Sequence, residues 1–430
     1  MNVLTSNESP FRGAKLVAYR AFSDVAGKGS LFVITIVAAR QLSQEAFGLF
    51  AVASTLGWML AVATDCGIQL HLARAVARQP AAAADILRRW LSVRLWTAAL
   101  SIAVVMALLA ASQTAWTSAR AILLVAMVYA GSGLIELLHY FYRGLARSEI
   151  ESSLTLGQRG AMLVSALVAL WWRPDVTVLA VAMLWPVLAT LAVSLRIATR
   201  LARTVPLSMA AGTARGTGVA WPDDFRRDVL PIGAGIVLSA LYFRIDVFLI
   251  QFWTGTTAVA LYSAVFRLVE ALRLFPAAVL AVTLPDLCRA PDRRPIVRVS
   301  VGVTLFAVAA AFALWTAAPW LIPLLYGPRY APAVPAFRIL ALSFPLLSLN
   351  YALTHQLIGW DGQRAYAAMC GAALVVNLAL NAWLIPTLWI AGAAWATLGT
   401  EVFLAAGCLT ALWMGGARPA PHPASAGAVS

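Results

Sequence analysis

Charge is what this sequence has least of. Only 12% of its 430 residues are Asp, Glu, Lys or Arg, against 61% hydrophobic. A soluble domain carries about 25% charged and about 45–50% apolar residues. No soluble fold of this length could hide so much apolar surface, so the surplus must face lipid. Acidic residues are the scarcer sign, 18 Asp and Glu against 32 Lys and Arg, for a net charge of +14. That balance does not make a nucleic-acid binder, because the cations lie between apolar runs and form no separate basic domain. Cysteine and histidine are scarce as well. Cys66, Cys288, Cys370 and Cys408 match no zinc or redox spacing and read as small buried apolar side chains. His71, His139, His355 and His422 are too scattered to suggest a metal site, so no cofactor or metal is expected. No signal peptide is visible: Met1 to Lys15 is polar, and the first apolar run continues into a full-length span.

What the sequence has is a succession of apolar runs. A membrane-crossing helix needs roughly 20 apolar residues. Twelve such runs are read at 16–39, 46–73, 89–111, 120–143, 150–172, 176–200, 228–252, 257–284, 297–320, 333–358, 364–386 and 388–413. The expected fold is an all-α integral membrane protein of about twelve transmembrane helices. Two linkers stand out, a basic one near 74–88 and a Gly/Pro-rich one at 201–227 carrying Arg203, Arg215, Arg226 and Arg227. The second splits the chain into an N-terminal lobe, 1–200, and a C-terminal lobe, 228–414, of six spans each. A tail rich in Pro, Ala and Gly, 415–430, reads as disordered.

The cations obey an alternation. The N-terminus, even-numbered loops and C-terminus hold roughly 22 Lys and Arg, and the odd-numbered loops roughly four (Arg40, Arg120, Arg173, Arg329). Both termini are therefore placed in the cytoplasm, and a miscounted span would have scrambled the pattern. The outer loops are short, which leaves no room for the outer domain of a membrane polymerase or ligase. No cytoplasmic nucleotide-sugar domain is present either, as a glycosyltransferase would need. A weak internal repeat fits the six-plus-six division. FGLFAVA at 47–53 resembles VALYSAV at 259–265, and YRGLARSEI at 142–150 resembles LIGWDGQRA at 357–365. Six spans per half orient both lobes alike, which implies a pseudo-twofold along the membrane normal.

A charge at the bilayer centre costs ~2.5–3.5 kcal/mol on insertion scales, so each one asks for a reason. Arg20, Asp24 and Lys28 fall at i, i+4 and i+8 of span 1, with Ser23 and Gly27 on the same side. Such a stripe lines a cavity or forms an ion pair that braces helices. In span 8, Arg267, Glu270 and Arg273 follow at i, i+3 and i+6, and Pro276 should kink the helix behind them. Arg244 and Asp246 in span 7 point to nearly opposite faces, and one of them should pair with a neighbouring helix. Glu136 and His139 share a face of span 4, Glu401 stands alone in span 12, and Asp65 lies near the end of span 2. Asn377 and Asn381 suit interhelical hydrogen bonding, while Arg338 and His355 lie where they can snorkel. Cations outnumber acids among these residues, which suits an anionic substrate. Arginine's planar fork binds phosphate oxygens in bidentate fashion. The candidate substrate-binding set is Arg20, Asp24, Lys28, Arg244, Arg267, Glu270 and Arg273.

Several stretches in order resemble a known family: ARQLSQEAFGLFAVASTL and DCGIQLHLARAVAR in the first half, then FRIDVFLIQFWTG, VALYSAVFRLVEALRLFP, LLYGPRYAPAVPAFRILALSFPL and NLALNAWLIPTLWIAGAAWATLGTE in the second. Together they look like the Wzx-type polysaccharide flippases of the multidrug/oligosaccharidyl-lipid/polysaccharide exporter superfamily. The resemblance covers almost the whole chain. It implies two pseudo-symmetric six-helix lobes around a central cavity, spans 1 and 8 at its portal, and no covalent chemistry. It implies flipping of polyprenyl-diphosphate-linked oligosaccharide from the cytoplasmic to the outer leaflet of a bacterial inner membrane by alternating access. A polysaccharide polymerase and chain-length machinery become candidate partners. The similar lipid II flippases usually carry two further helices, which this chain lacks. Asp24 and Glu270 would hold the cations apart or take up protons, and the sequence leaves that open. Two rival readings remain at this point: a cation or drug antiporter of the same superfamily, whose cavity should carry surplus acid, and a non-transporting membrane scaffold or membrane enzyme.

Overall fold

The computed structural model describes residues 10–112, 114–204, 230–279, 283, 294–359 and 363–413. All of the described secondary structure is helical, and the chain divides into two compact units, Met1–Leu230 and Pro231–Ser430. Most of the 201–227 linker, the 415–430 tail, Cys288 and His422 lie outside the described residues.

The first unit holds α1 (Pro10–Gln41), α2 (Gln44–Asp65), α3 (Ile68–Arg78), a 3-10 turn (Pro80–Ala82), α4 (Ala83–Ala111), α5 (Trp116–Gly144), α6 (Ser148–Trp172) and α7 (Val176–Thr204). Helix α5 is its centre, touching α2, α3, α4, α6 and α7, while α1 lies on α6. The sequence YAGSG at 129–133 makes that centrality possible. A Cβ on Gly131 would sit 2.7 Å from Val187 Cγ1, and one on Gly133 would sit 2.7 Å from Arg94 Nη2. Small residues permit such close approach where lipid supplies no hydrophobic drive.

Span 2 does not run unbroken to residue 73. It ends at Asp65, and Cys66 (φ 40°) and Gly67 (φ 85°) take left-handed backbone. The Asp65 carboxylate then accepts from the N–H of Gly67 and of Gln69, both at 3.3 Å. That is helix capping, and it starts α3. Much of the basic 74–88 linker is therefore helical, with α3 reaching Arg78 and α4 beginning at Ala83. Ile68, Leu72 and Val76 of α3 pack on Leu137, Leu138, Phe141 and Tyr142 of α5 and on Trp90 of α4, leaving Arg74 and Arg78 exposed. The second linker also starts later than 201, because α7 continues to Thr204.

The second unit holds α8 (Leu230–Thr254), α9 (Thr256–Leu272), α10 (Arg294–Tyr326), a 3-10 segment (Pro328–Ala333), α11 (Val334–Gly359) and α12 (Gln363–Trp413). Helix α12 is two arms of a hairpin. Its backbone leaves helical angles at Trp389 (φ 56°, ψ −138°). Met369 meets Gly407, Leu380 meets Gly399, and Asn377 bonds Thr400, which runs the two arms antiparallel. Only glycine fits at 392, where a Cβ would lie 2.1 Å from Leu384 O. Helix α9 breaks as expected near Pro276, but three residues before it. Arg273 closes α9 with its N–H on Glu270 O, and helix resumes at 274, because the proline offers no N–H to the carbonyl four residues back.

Among the described residues, nine helices are long and apolar enough to cross a membrane. Counting the α12 arms separately makes ten, and α1 and the 17-residue α9 bring the total to the twelve crossings read from the sequence. The chain is a multi-pass membrane protein. The two repeated strings fall at matching places: the starts of α2 and α9, and the junctions α5–α6 and α11–α12. Trp116, Trp171, Trp172, Trp253, Trp320, Trp383 and Trp389 are exposed near helix ends joined by the odd-numbered loops, where interfacial aromatics gather in membrane proteins.

Candidate substrate-binding site

In the second unit the charged residues converge. Helices α8 and α9 are neighbours joined at Gly255, and Phe243 meets Phe266 with ring centres 5.0 Å apart. Next to that contact, Arg244 Nη2 and Arg267 Nη1 both donate to the same oxygen, Glu270 Oε2, each at 2.8 Å. Arg244 is buried, with its guanidinium 4.6 Å from the centre of the Phe266 ring. Arg273 lies over the other ring of the pair, 4.2 Å from the centre of Phe243. Four of the seven residues proposed from the sequence thus form one group, in which three guanidiniums gather about one carboxylate. Tyr242, Tyr351, His355, Tyr366 and Glu401 lie within electrostatic range of Arg273.

Asp246 makes no hydrogen bond to that group, although it lies within electrostatic range of Arg244. It is buried and takes the hydroxyl hydrogen bond of Tyr262 together with the N–H of Val247. Tyr262 in turn reaches Thr397 Oγ1 at 3.3 Å. Both Arg244 and Asp246 therefore pair with α9, rather than one of the two, because α8 lies along α9 over more than two turns. Glu401 is not isolated either: Asn350 Nδ2 of α11 donates to its carboxylate at 2.7 Å and to its carbonyl at 2.9 Å. Asn377 bonds across the hairpin to Thr400 at 3.1 Å as expected, whereas Asn381 donates one turn back on its own arm, to Asn377 O at 2.9 Å. Arg338 lies over Trp315 at 4.5 Å, and His355 hydrogen-bonds Tyr351 O at 2.7 Å.

In the first unit the α1 stripe is displaced from the residues expected beside it. Tyr19, Ser23 and Gly27 face α6: Tyr19 reaches Ser153 at 3.2 Å, Ser23 donates to Ser152 O at 3.2 Å, and Gly27 abuts Thr155 and Arg159. Ser23 and Gly27 are thus spent on helix packing. Arg20 is half-buried and Lys28 is exposed. The Asp24 side chain lies outside the described residues.

A second charged group, which sequence reasoning largely missed, surrounds Glu136 on α5. Asp65, Arg94, Arg143 and Arg159 all lie within electrostatic range of it. Arg143 grips Glu151 of α6 with two hydrogen bonds, Nε to Oε2 at 2.8 Å and Nη2 to Oε1. Buried Arg94 donates to Thr64 Oγ1 at 2.6 Å and to Ala61 O at 3.0 Å. It also borders a small cleft lined by Gly57, Ala61, Thr64 and Ser101. Arg94 and Arg159 fall inside apolar runs, so the rule that every charge in a span needs a reason could have found them. Arg143 and Glu151 sit at span ends and read as ordinary loop charges. Cys370 and Cys408 are buried thiols and Cys66 is half-buried; no group of three or more metal-ligating residues occurs among the described residues.

Comparison with known proteins places this architecture. The profile of a family described as "Polysaccharide biosynthesis protein" matches residues 14–291. A search of curated proteins finds no match. Among solved structures, an inward-facing multidrug-resistance MATE transporter of the MOP superfamily is similar at TM-score 0.66 and 16% identity, over 92% of this chain and 94% of that one. The lipid II flippase MurJ, in an inward closed conformation, matches at TM-score 0.66 and 10% identity, over 93% of this chain and 87% of that one. The MATE transporter VcmN of Vibrio cholerae matches at TM-score 0.57 and 13% identity, over 93% and 96%. The fold is the one these transporters share, and at these identities the solved structures speak for the fold alone.

Proposed function

The chain belongs to the polysaccharide biosynthesis protein family, and from that premise we propose that it flips a polyprenyl-diphosphate-linked oligosaccharide across the bacterial inner membrane by alternating access. The observation that carries the reading is the second unit's group of three arginines about Glu270. A diphosphate presents several anionic oxygens, and arginine forks match them bidentately. Glu270 stands in for that anion when the site is empty, holding Arg244 and Arg267 in place. A carrier of cationic drugs would need the opposite sign in its site. The apolar tail of such a substrate stays in lipid, which fits the wide exposed apolar faces of α4 and α10, where Leu100, Leu108, Leu305 and Phe312 are exposed. Arg20 and Lys28 add cations on α1 of the first unit.

The proposal is tested in cells by surface polysaccharide per unit of membrane-inserted protein. Arg273→Gln and Arg267→Gln should insert normally, export little, and leave the lipid-linked precursor in the cytoplasmic leaflet. Export at the wild-type level in both would end the assignment. The orientation, with both termini cytoplasmic, follows from the alternation of cations. Without the four native cysteines, a single cysteine at Thr257 should react with an impermeant thiol reagent from outside, and one at Gly216 should not. Equal labelling of the two would reverse or break the topology.

A further inference from the structure

We infer that Glu136 of α5 and Arg159 of α6 form a hydroxyl-recognition subsite that reads a sugar of the transported oligosaccharide. This rests on the flippase reading above and assigns a different part of the same substrate.

The inference starts from which charges in the first unit are already used. Arg143 is closed on Glu151 by two hydrogen bonds, and Arg94 is closed on Thr64 and Ala61. Glu136 has no hydrogen bond among the described residues, and its side chain is exposed although α5 crosses the membrane. Arg159 is half-buried, and Met162 Sδ at 3.9 Å is the contact of its guanidinium. The stem of Arg159 is set by α1, since a Cβ on Gly27 would sit 3.4 Å from its Cγ. Glu136 and Arg159 lie within electrostatic range of each other without meeting as an ion pair. An acceptor and a planar donor fork therefore lie near each other with no hydrogen bond between them among the described residues.

Two neighbours extend the arrangement. His139, one turn along α5 from Glu136, is 92% buried by its 8% exposure, and its Nε2 has no hydrogen-bond partner. It lies in electrostatic range of Arg159. Tyr129, also in range of Arg159, is held with its ring against Gly57, where a Cβ would come within 2.8 Å of Cδ2. Leaving a buried polar atom without a partner is costly, and a ligand that satisfies it relieves that cost.

The chemistry favours a neutral polyhydroxyl group over a phosphate. A phosphate at Arg159 would be repelled by Glu136, with Asp65 close behind it. A sugar hydroxyl can donate to a carboxylate and accept from a guanidinium at once, and two adjacent hydroxyls match the fork of Arg159. A site built to hydrogen-bond a hydroxyl also rejects a ligand that lacks it, because its own polar groups are then left unpaired.

The test uses the purified full-length protein in lipid nanodiscs and two probes: undecaprenyl diphosphate, and the glycolipid isolated from cells that lack this protein and accumulate it. The wild type should hold the glycolipid about tenfold tighter than undecaprenyl diphosphate, the scale of one charged hydrogen bond. In Glu136→Gln and Arg159→Gln that preference should fall below about twofold, while affinity for undecaprenyl diphosphate stays in place and reports a folded protein. Arg159→Lys keeps the charge and loses the fork, and its preference should fall between the two. An unchanged preference in the variants overturns the inference. So does an equal loss of both affinities, which would make the pair an anion site or a brace. A wild type that binds neither lipid would instead overturn the flippase reading.

Discussion

Each unit of this chain carries a group of three arginines on its helices, and the two groups differ in how those arginines are held. In the first, Arg143 is clasped by its own carboxylate, Glu151, and Arg94 by a hydroxyl and a carbonyl, and only Arg159, against Met162 Sδ at 3.9 Å, is not closed in this way. In the second, Arg244 and Arg267 share one oxygen of Glu270, and Arg273 rests on a ring. Closed pairs brace helices, and their charges are not offered to a ligand. A carboxylate shared by two arginines gives each of them one oxygen contact rather than a bidentate clasp, an arrangement an incoming anion can add to. The lesson is that counting buried arginines does not locate an anion site. What each guanidinium already touches does.

The comparison can be broken at its strongest contacts first. Glu270→Ala should be the most damaging change, since it strands buried Arg244 beside Arg267. Glu270 is itself 34% exposed at the side chain, so the loss should fall below the about 3–5 kcal/mol of a fully buried pair, but the variant should still lose inserted protein and unfold at a clearly lower temperature in detergent. If Glu270→Ala were as stable as the wild type, Glu270 would not be holding the cations. Next comes Glu151→Gln in the first unit. It breaks a bidentate bond to an arginine that is partly exposed, 29% at the side chain. A loss of about 1.5–3 kcal/mol is expected, the range for hydrogen bonds to charged groups, with undecaprenyl diphosphate affinity unchanged. A selective loss of that affinity would make the first unit the phosphate site and reverse the comparison.

Gly133→Ala sharpens the contrast from the packing side. Its new Cβ would press on Arg94 Nη2, and overpacking a fitted interior costs about 1–3 kcal/mol. The flexible end of the arginine can shift, so the lower end is expected, read as a small drop in thermal midpoint. Arg338→Ala should do least. Its guanidinium lies over Trp315 and its Nε donates to Trp315 O at 3.2 Å, contacts of a half-buried side chain worth about 1 kcal/mol, and lipid binding should not change.

The same contrast shows how far the sequence could be read. The twelve crossings were legible because apolar runs and alternating cations report them independently, and the i, i+3 spacing of Arg267 and Glu270 named a pair that exists. The partners of Arg244, Glu401 and Tyr262 were not legible, since they join residues on different helices and depend on packing that no local period encodes. The break at Cys66–Gly67 was hidden inside a long apolar run, although Asp65 followed by glycine two residues on is a capping signal. Arg143 and Glu151 escaped notice because charges at span ends are common, and only folding α6 back on α5 makes them a pair. On α1, residues 19, 23 and 27 pack on α6, which the spacing of Arg20, Asp24 and Lys28 alone does not reveal. A single step along a helix turns the side chain by about 100°, enough to change what it meets.

The central claim is that the loosely held arginines of the second unit take the diphosphate, and Arg273 tests it most cleanly. Its guanidinium rests on the Phe243 ring and closes no buried ion pair among the described residues, so replacing it should leave the fold intact. The measurement is the affinity of the purified protein for undecaprenyl diphosphate, wild type against Arg273→Gln, at equal folded fraction. The account predicts a loss of about tenfold or more, the scale of a charged hydrogen bond, with Arg273→Lys in between. An unchanged affinity in Arg273→Gln would contradict it.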